Sequence, residues 1–100
     1  MRKLEIINVE AAGPQQRIEI IGLCHKVRLP RSARLTVYTD SFNNELSIHI
    51  QWNSRSGLRE GRSPAGCELC RAVSGHGTVN HTVWVESRQS KPAEHDDKSN

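Results

Sequence analysis

The sequence has few aromatic residues and no long apolar segment. Phe, Trp and Tyr make up 4% of its 100 residues, and hydrophobic residues make up 35%. No window approaches the roughly 18 consecutive apolar residues that a membrane-spanning helix requires. At this length, folding buries only roughly 60–65% of the surface that the extended chain exposes. A core this small excludes a multi-domain enzyme and a large cofactor cavity.

Cysteine is also scarce, and its number is odd. Cys24, Cys67 and Cys70 cannot all be paired within one chain, which does not suit the disulfide framework of a small secreted domain. Near the first residue, Glu5 and Asn8 interrupt the apolar stretch that a secretory signal would need. We therefore expect a cytoplasmic protein with reduced thiols.

The apolar residues alternate with polar ones, as they do in strands with one buried face. Residues 46–52 show this most clearly, with Leu, Ile, Ile and Trp on one side and Ser, His and Gln on the other. The pattern predicts five strands, at residues 4–9, 17–23, 33–39, 46–52 and 78–85. We predict a mainly β fold, either a five-stranded, mostly antiparallel sheet or a small barrel.

The segment between the last two predicted strands indicates one short helix. Residues 53–62 have a loop composition, and Ser63 followed by Pro64 is typical of an N-cap and a first helical residue. Gly75 then marks the end, which predicts a helix over about 64–74. Beyond Ser87 large apolar residues are missing, so we predict a single domain at 1–87 and a disordered polar tail at 88–100.

Four potential zinc ligands lie within fifteen residues of one another: Cys67, Cys70, His76 and His81. A Cys-x-x-Cys pair is the usual half of a zinc site, because two thiolates on one turn can share the ion. However, only five residues separate the two pairs, fewer than in zinc-finger motifs. The alternative is that the cysteines are buried structural thiols, since free cysteine is among the most buried residue types. Thiol exchange at the Cys-x-x-Cys pair is a third interpretation.

The net charge of +3 conceals an uneven distribution of arginine. Arg28, Arg31 and Arg34 are spaced three residues apart around Pro30, and the predicted loop adds Arg55, Arg59 and Arg62. Such a patch can bind phosphates or an acidic protein surface. The alternative is that these are solvated charges that keep strand edges from pairing with other chains.

The placement of two aromatic residues indicates an interaction surface. If Val79, Val83 and Val85 face the core, Trp84 points the other way, and Tyr38 does so on its own strand. Exposed Trp, Tyr and Arg dominate the energetics of protein interfaces. The alternative is a sheet that is covered on both faces, with Trp84 buried.

These observations lead to three hypotheses about function. The first is a cytoplasmic, non-enzymatic binding module that acts on a protein partner, as accessory or inhibitor proteins of phages and mobile elements do. The second is a basic nucleic-acid-binding protein, stapled by zinc. The third is a metal-dependent nuclease or hydrolase built around the Cys/His group. We favour the first, because none of the histidines lies in a motif that pairs a nucleophile with a base.

Overall fold

Strands and helices follow one another in the order βαββαβ. The computed structural model describes residues 2–40, 42–53 and 61–87. The elements are β1 (Lys3–Ala11), α1 (Pro14–His25), β2 (Ala33–Thr39), β3 (Glu45–Trp52), α2 (Pro64–Val73) and β4 (Gly77–Val85). Neither described helix has the length and apolarity needed to cross a membrane.

The four strands form one antiparallel sheet in the order β2-β3-β1-β4. Because β3 lies between β1 and β2, the first three strands and α1 form a split βαβ unit, and the whole is the ferredoxin-like arrangement. The prediction of a mainly β chain with an antiparallel sheet is confirmed. The predictions of a fifth strand and of a barrel are wrong.

One of the five predicted strands, at residues 17–23, is part of a helix in the structure. Residues 17–23 lie inside α1, which begins at Pro14, a residue preorganised for the first turn of a helix. Its buried residues, Ile20 and Cys24, are four positions apart and so lie on one side of the helix. A short apolar run such as 17–23 has no periodicity that separates a strand from a buried helix, which explains the error.

The second helix is the one that the sequence predicts. It begins at Pro64, and the backbone N–H of Gly66 donates to Oγ of the N-cap residue Ser63 over 2.9 Å. It ends at Val73, one residue before the predicted boundary. Most of the predicted loop 53–62 and the whole of the predicted tail 88–100 lie outside the described residues. The division into one domain and a tail stays a prediction.

Both helices pack on the same side of the sheet, which we call the inner face. The core there joins Ile7 and Ile48 of the central strands to Ile20 of α1 and Val73 of α2, all four completely buried. The opposite side, which we call the open face, carries the alternate residues of the same strands. In the described part of the chain, neither helix packs on it.

Candidate active site beneath helix α2

The buried polar side chains of the described residues lie together at one place on the inner face. They belong to Lys3, Glu5, Ser63 and His81. With Trp52, whose indole is hydrogen-bonded to Glu5, we call them the Glu5 cluster. Burying polar and charged groups costs free energy, and proteins concentrate such groups at functional sites. The Glu5 cluster is therefore the candidate active site.

Glu5 is the centre of the cluster and is completely buried. Its Oε1 accepts a hydrogen bond from the backbone N–H of Ser63 over 3.1 Å and lies 2.9 Å from Nε2 of His81. Its Oε2 accepts the indole N–H of Trp52 over 2.8 Å. The carboxylate thus links β1 to β3, to β4 and to the start of α2.

The pKa of Glu5 reflects two opposing effects. Burial raises it, because a charged carboxylate loses its hydration. The hydrogen bonds from Ser63, His81 and Trp52 lower it, since each stabilises the charged form, and together they prevail. The pKa of Glu5 therefore lies below its ordinary value of 4.5, and the group is a carboxylate at neutral pH.

His81 is oriented by this carboxylate. It lies on β4 opposite Ile7, and its side chain is 2% exposed. A carboxylate only accepts hydrogen bonds, so the 2.9 Å contact requires a proton on Nε2 of His81. The other ring nitrogen, Nδ1, is then the one that accepts a proton. A carboxylate that fixes an imidazole in this way also stabilises the imidazolium that forms when the ring takes up a proton.

Gly66 allows α2 to come close to this pair. A Cβ built on Gly66 would overlap Oε1 of Glu5 and would lie 3.2 Å from Cε1 of His81. Only glycine therefore fits the first turn of α2 at this point. The same turn supplies the N-cap residue Ser63, whose backbone N–H holds the carboxylate.

Lys3 and Trp52 form the part of the cluster nearest the end of the sheet. Nζ of Lys3 donates to the carbonyl oxygen of Gly61 over 2.9 Å and lies 5.6 Å from the centroid of the Trp52 ring, a cation–π distance. Lys3 also lines a cavity of about 300 Å³, which Trp84 and Gln51 help to form. Trp52 itself is half-buried, so part of its side chain is accessible to solvent.

The open face carries a second polar group, which is more exposed. The Ser47 hydroxyl donates to Oδ1 of Asn8 over 2.8 Å and lies 2.9 Å from Nε2 of His49. The His49 ring meets the edge of Tyr38, with centroids 4.8 Å apart. These side chains are accessible to water, and the group contains no carboxylate that would orient His49.

The proposed zinc ligands do not come together. Cys67 is exposed on α2, His76 pairs with Glu19 at 3.1 Å, and His81 is bonded to Glu5. In the described ranges, no three His, Cys, Asp or Glu side chains are placed to hold a metal ion. Of the two thiols, that of Cys67 is exposed and that of Cys70 packs against the core, whereas His76 and His81 are each paired with a carboxylate.

The cysteines differ from one another in exposure. Cys24 is buried in the core, and burial raises the pKa of its thiol to about 11. Cys70 is half-buried and packs against the core, whereas Cys67 is exposed. The interpretation as buried structural thiols, which concerns Cys67 and Cys70, thus holds in part for Cys70 and not for Cys67.

The proposed partner-binding residues are spread over several places. Arg28 and Arg31 lie in the connection between α1 and β2, and Arg34 lies on β2. Nη2 of Arg62 donates to the carbonyl oxygen of His81, and Arg55 and Arg59 lie outside the described residues. Trp84 and Tyr38 are 63% and 55% exposed, on the open face as the alternation predicts. Their role in binding a partner stays a prediction.

Sequence reasoning missed four members of the Glu5 cluster as site residues: Lys3, Glu5, Trp52 and Ser63. One signal was present in β1, where Glu5 has the same parity as Ile7 and Val9 and so points into the core. A charged residue at an inward position is rarely buried without partners. That signal marks Glu5 as unusual, but it does not show that Trp52 and His81 are its partners.

The fold is shared with several solved structures. One is a monooxygenase from Streptomyces coelicolor, in complex with nanaomycin D (TM-score 0.61, 17% identity, over 90% of this chain and 91% of that chain). Another is SnoaB, a cofactor-independent oxygenase from Streptomyces nogalater (TM-score 0.57, 17% identity, 91% and 97%). A third is a conserved protein from Methanosarcina mazei (TM-score 0.64, 14% identity, 87% and 94%). No family model matches the sequence, and none of the curated sequences matches it.

These neighbours overturn the favoured hypothesis about function. Several of them are named as monooxygenases or oxygenases, so the interpretation of the chain as a non-enzymatic binding module is wrong. They give no support to an inhibitor, an accessory protein of phage type, a nucleic-acid binder or a metal-dependent nuclease. At these identities the likeness shows the fold alone.

Proposed function

We propose that this protein is an oxygenase of the cofactor-independent kind, with the Glu5 cluster as its active site. The observation that carries the proposal is the buried Glu5–His81 pair, which lies in a fold shared with structures that are named oxygenases. Neighbours of this fold include an enzyme that is described as working without a cofactor. The substrate class follows from the chemistry that such a site can perform.

Without a cofactor, the substrate itself must supply the electrons that reduce dioxygen. A small, electron-rich aromatic compound can do so once it loses a proton from a phenolic hydroxyl or from an activated ring CH₂ group. The reaction then converts the CH₂ group to a carbonyl group. One atom of dioxygen enters the product, and the other leaves as water with the two hydrogen atoms of the CH₂ group.

In this reaction His81 is the general base. Glu5 holds Nε2–H, so Nδ1 takes the substrate proton, and the carboxylate stabilises the imidazolium that results. Glu5 acts through His81 and is a positioning residue. The indole of Trp52 holds the carboxylate in turn, and its half-buried ring offers a flat surface to an aromatic substrate at the end of the sheet.

The Glu5–His81 pair is buried, so a substrate can reach it only if part of the chain moves. His81 is almost fully buried, and Gly66 of α2 lies directly against its ring. We infer that the substrate enters from the end where Lys3 and Trp52 lie and displaces the start of α2 from β4.

The compartment is a part of the same proposal. All of the cysteines, Cys24, Cys67 and Cys70, are free in the structure. Free thiols support our expectation of a reducing environment and therefore of a cytoplasmic protein.

The proposal is tested by measuring oxygen uptake with a panel of hydroquinones, phenols and tricyclic aromatic ketones that carry a ring CH₂ group. The assay contains a chelator and no added flavin or metal. We expect uptake with at least one of these compounds, together with formation of the corresponding quinone. His81→Gln keeps a donor for Glu5 but lacks a basic nitrogen, so it should lower kcat by roughly 10²–10⁴-fold.

His49→Gln is the matched control, because it makes the same change on the opposite face of the sheet. It should leave oxygen uptake unchanged, and circular dichroism should show that both variants remain folded. If the wild-type protein consumes no oxygen with any member of the panel, the proposed activity is wrong. If His81→Gln is as active as the wild type, His81 is not the base.

A further inference from the structure

A groove of about 420 Å³ lies between the two helices, apart from the Glu5 cluster. Its lining residues belong to α2, to the last turn of α1 or to the segment that follows α1, and it shares no residue with the Glu5 cluster. Sites for small molecules have volumes of roughly 300–1,000 Å³. The groove is therefore large enough to hold a small molecule of its own.

The α2 wall of the groove is lined by one stripe of the helix. Its members are spaced as residues on one helix face are, at i, i+3, i+4 and i+7: Ala65, Glu68, Leu69 and Ala72. Leu69 is buried in the core, whereas Ala72 is exposed. An alanine side chain is a single methyl group, so the two alanines leave space that longer side chains would fill. The groove exists because this stripe is short at both of its ends.

The α1 wall of the groove is apolar at its base. Leu23 and Val27 are four residues apart, both are half-buried, and both pack against the core. Together with Leu69 they present apolar surface to whatever occupies the groove. Removing apolar surface from water is favourable, so this base favours a ligand with an apolar body.

The rim of the groove carries two cations and one carboxylate. Lys26 and Arg28 are exposed on the α1 side, and Glu68 is exposed on α2. In the part of the chain that the structure describes, the ion pairs are Glu5–His81 and Glu19–His76, so neither rim cation is paired with a carboxylate. The two rim cations therefore leave a net positive charge at the edge of an apolar groove.

A second cavity extends this positive charge away from Glu68. It has a volume of about 600 Å³ and is lined by the five residues 25–29, so it shares Lys26, Val27 and Arg28 with the groove. His25 is its other titratable residue, and its lining contains no carboxylate. The place where the two cavities meet is thus the most favourable position for a negative charge.

From these observations we propose that the groove between α1 and α2 binds a small apolar carboxylate. The apolar body lies against Leu23 and Leu69, and the carboxylate points toward Lys26 and Arg28. A guanidinium group suits a carboxylate because its N–H groups can donate two parallel hydrogen bonds to it. This role also gives Arg28, one of the arginines singled out in the sequence, a specific ligand.

This proposal is tested by NMR titration of the ¹⁵N-labelled full chain at pH 7 with 2-naphthoate and with 2-naphthalenemethanol, which has the same rings but no charge. We expect 2-naphthoate to shift the amide signals of residues 23–29 and 65–72. The Kd of the neutral compound should be roughly threefold higher, because it cannot form an ion pair at the rim. Equal affinities, shifts confined to the strands, or no saturable shift would overturn the proposal.

Charge variants test the position of the carboxylate. Lys26→Gln and Arg28→Gln should each raise the Kd of 2-naphthoate roughly two- to fivefold and leave that of the neutral compound unchanged. Glu68→Gln should act in the opposite direction, since it removes the carboxylate of the rim. Arg34→Gln is the matched control, because Arg34 lies on β2 and does not line the groove. An effect of Arg34→Gln as large as that of Arg28→Gln would overturn the assigned position.

A filled groove tests the apolar part of the site. In Ala72→Leu the larger side chain occupies the space, so neither compound should bind. Cys67→Leu adds the same side chain at an exposed position of α2 outside the groove and should bind both compounds as the wild type does. Circular dichroism checks that both variants are folded. Unchanged binding by Ala72→Leu would overturn the proposal. These measurements record binding alone, so their outcome is independent of oxygen uptake.

Discussion

The two faces of the sheet differ in the surroundings of their polar residues. The inner face encloses a carboxylate, an imidazole and an ammonium group and gives each a partner, whereas the open face leaves its carboxylates and rings in contact with water. The strands alternate between these faces, so neighbouring residues experience different surroundings. The difference shows that the effect of a substitution on stability depends on the partners of the side chain and not on the residue type alone.

The largest contrast is expected between two glutamates of β1. Glu5→Ala removes a buried carboxylate and leaves the N–H groups of Ser63, Trp52 and His81 without their acceptor. We expect a loss of about 3–5 kcal/mol in the free energy of unfolding, measured by urea denaturation. Glu10→Ala on the open face should change it by less than about 0.5 kcal/mol. Equal effects of the two variants would mean that the Glu5 cluster does not hold the fold.

A smaller contrast is expected between two helical glycines. In Gly66→Ala the new methyl group overlaps Glu5, so α2 must shift away, at a cost of about 1–3 kcal/mol. Gly22 of α1 has open space around its Cβ position, and Gly22→Ala should stabilise the protein by about 0.5–1 kcal/mol, because alanine favours the helix. Thermal melts of the two variants should therefore shift in opposite directions. Stabilisation by Gly66→Ala would contradict the close packing of α2 on Glu5.

The two faces should also differ in how their carboxylates affect the pH dependence of stability. The pKa of Glu5 is lowered on folding, so its contribution is complete above the unfolded value of 4.5 and is lost as the pH falls through the folded pKa. Urea denaturation between pH 7 and pH 3 should show a loss of stability that begins near pH 4.5. Glu5→Gln should reduce this slope, whereas Glu10→Gln should not. A slope that is equal in both variants would assign the acid sensitivity to other carboxylates.

The smallest contrast is expected between the two tryptophans. Trp52→Phe keeps a ring but removes the N–H group that Oε2 of Glu5 accepts, which should cost about 1–2 kcal/mol and move the acid transition to higher pH. Trp84→Phe, on the open face, should change the stability of the monomer by less than about 0.5 kcal/mol. A larger loss for Trp84→Phe would show that this ring packs against part of the chain.

Much of the sheet could be predicted from alternation, because each strand has one buried side. The outward positions of Trp84 and Tyr38 and the inward position of His81 followed from parity alone and are confirmed. The N-cap at Ser63 followed from the Ser-Pro pair. Residues 17–23 were misassigned because a short apolar run suits a buried strand and a buried helix equally well.

The site could not be predicted in the same way, since its members are far apart in the sequence. Glu5, Ser63 and His81 meet only because β1 lies next to β4 and because α2 begins above both. Local spacing instead drew attention to Cys67 and Cys70, which are close in sequence but do not converge on the histidines. Proximity along the chain is informative for a helix cap and not for a site built across a sheet.

The separation of these residues has a consequence for synthesis on the ribosome. Strand β1 is synthesised first, whereas its neighbour β4 is the last element of the sheet. The carboxylate of Glu5 therefore cannot pair with His81 until residue 81 has left the ribosome. Long-range pairings of this kind slow folding, because a long loop must close before any contact compensates for its entropy. Until then the backbone groups along one edge of β1 have no partner strand, and Glu5 faces an incomplete core. A nascent chain that stalls before β4 is therefore the form of this protein most exposed to aggregation.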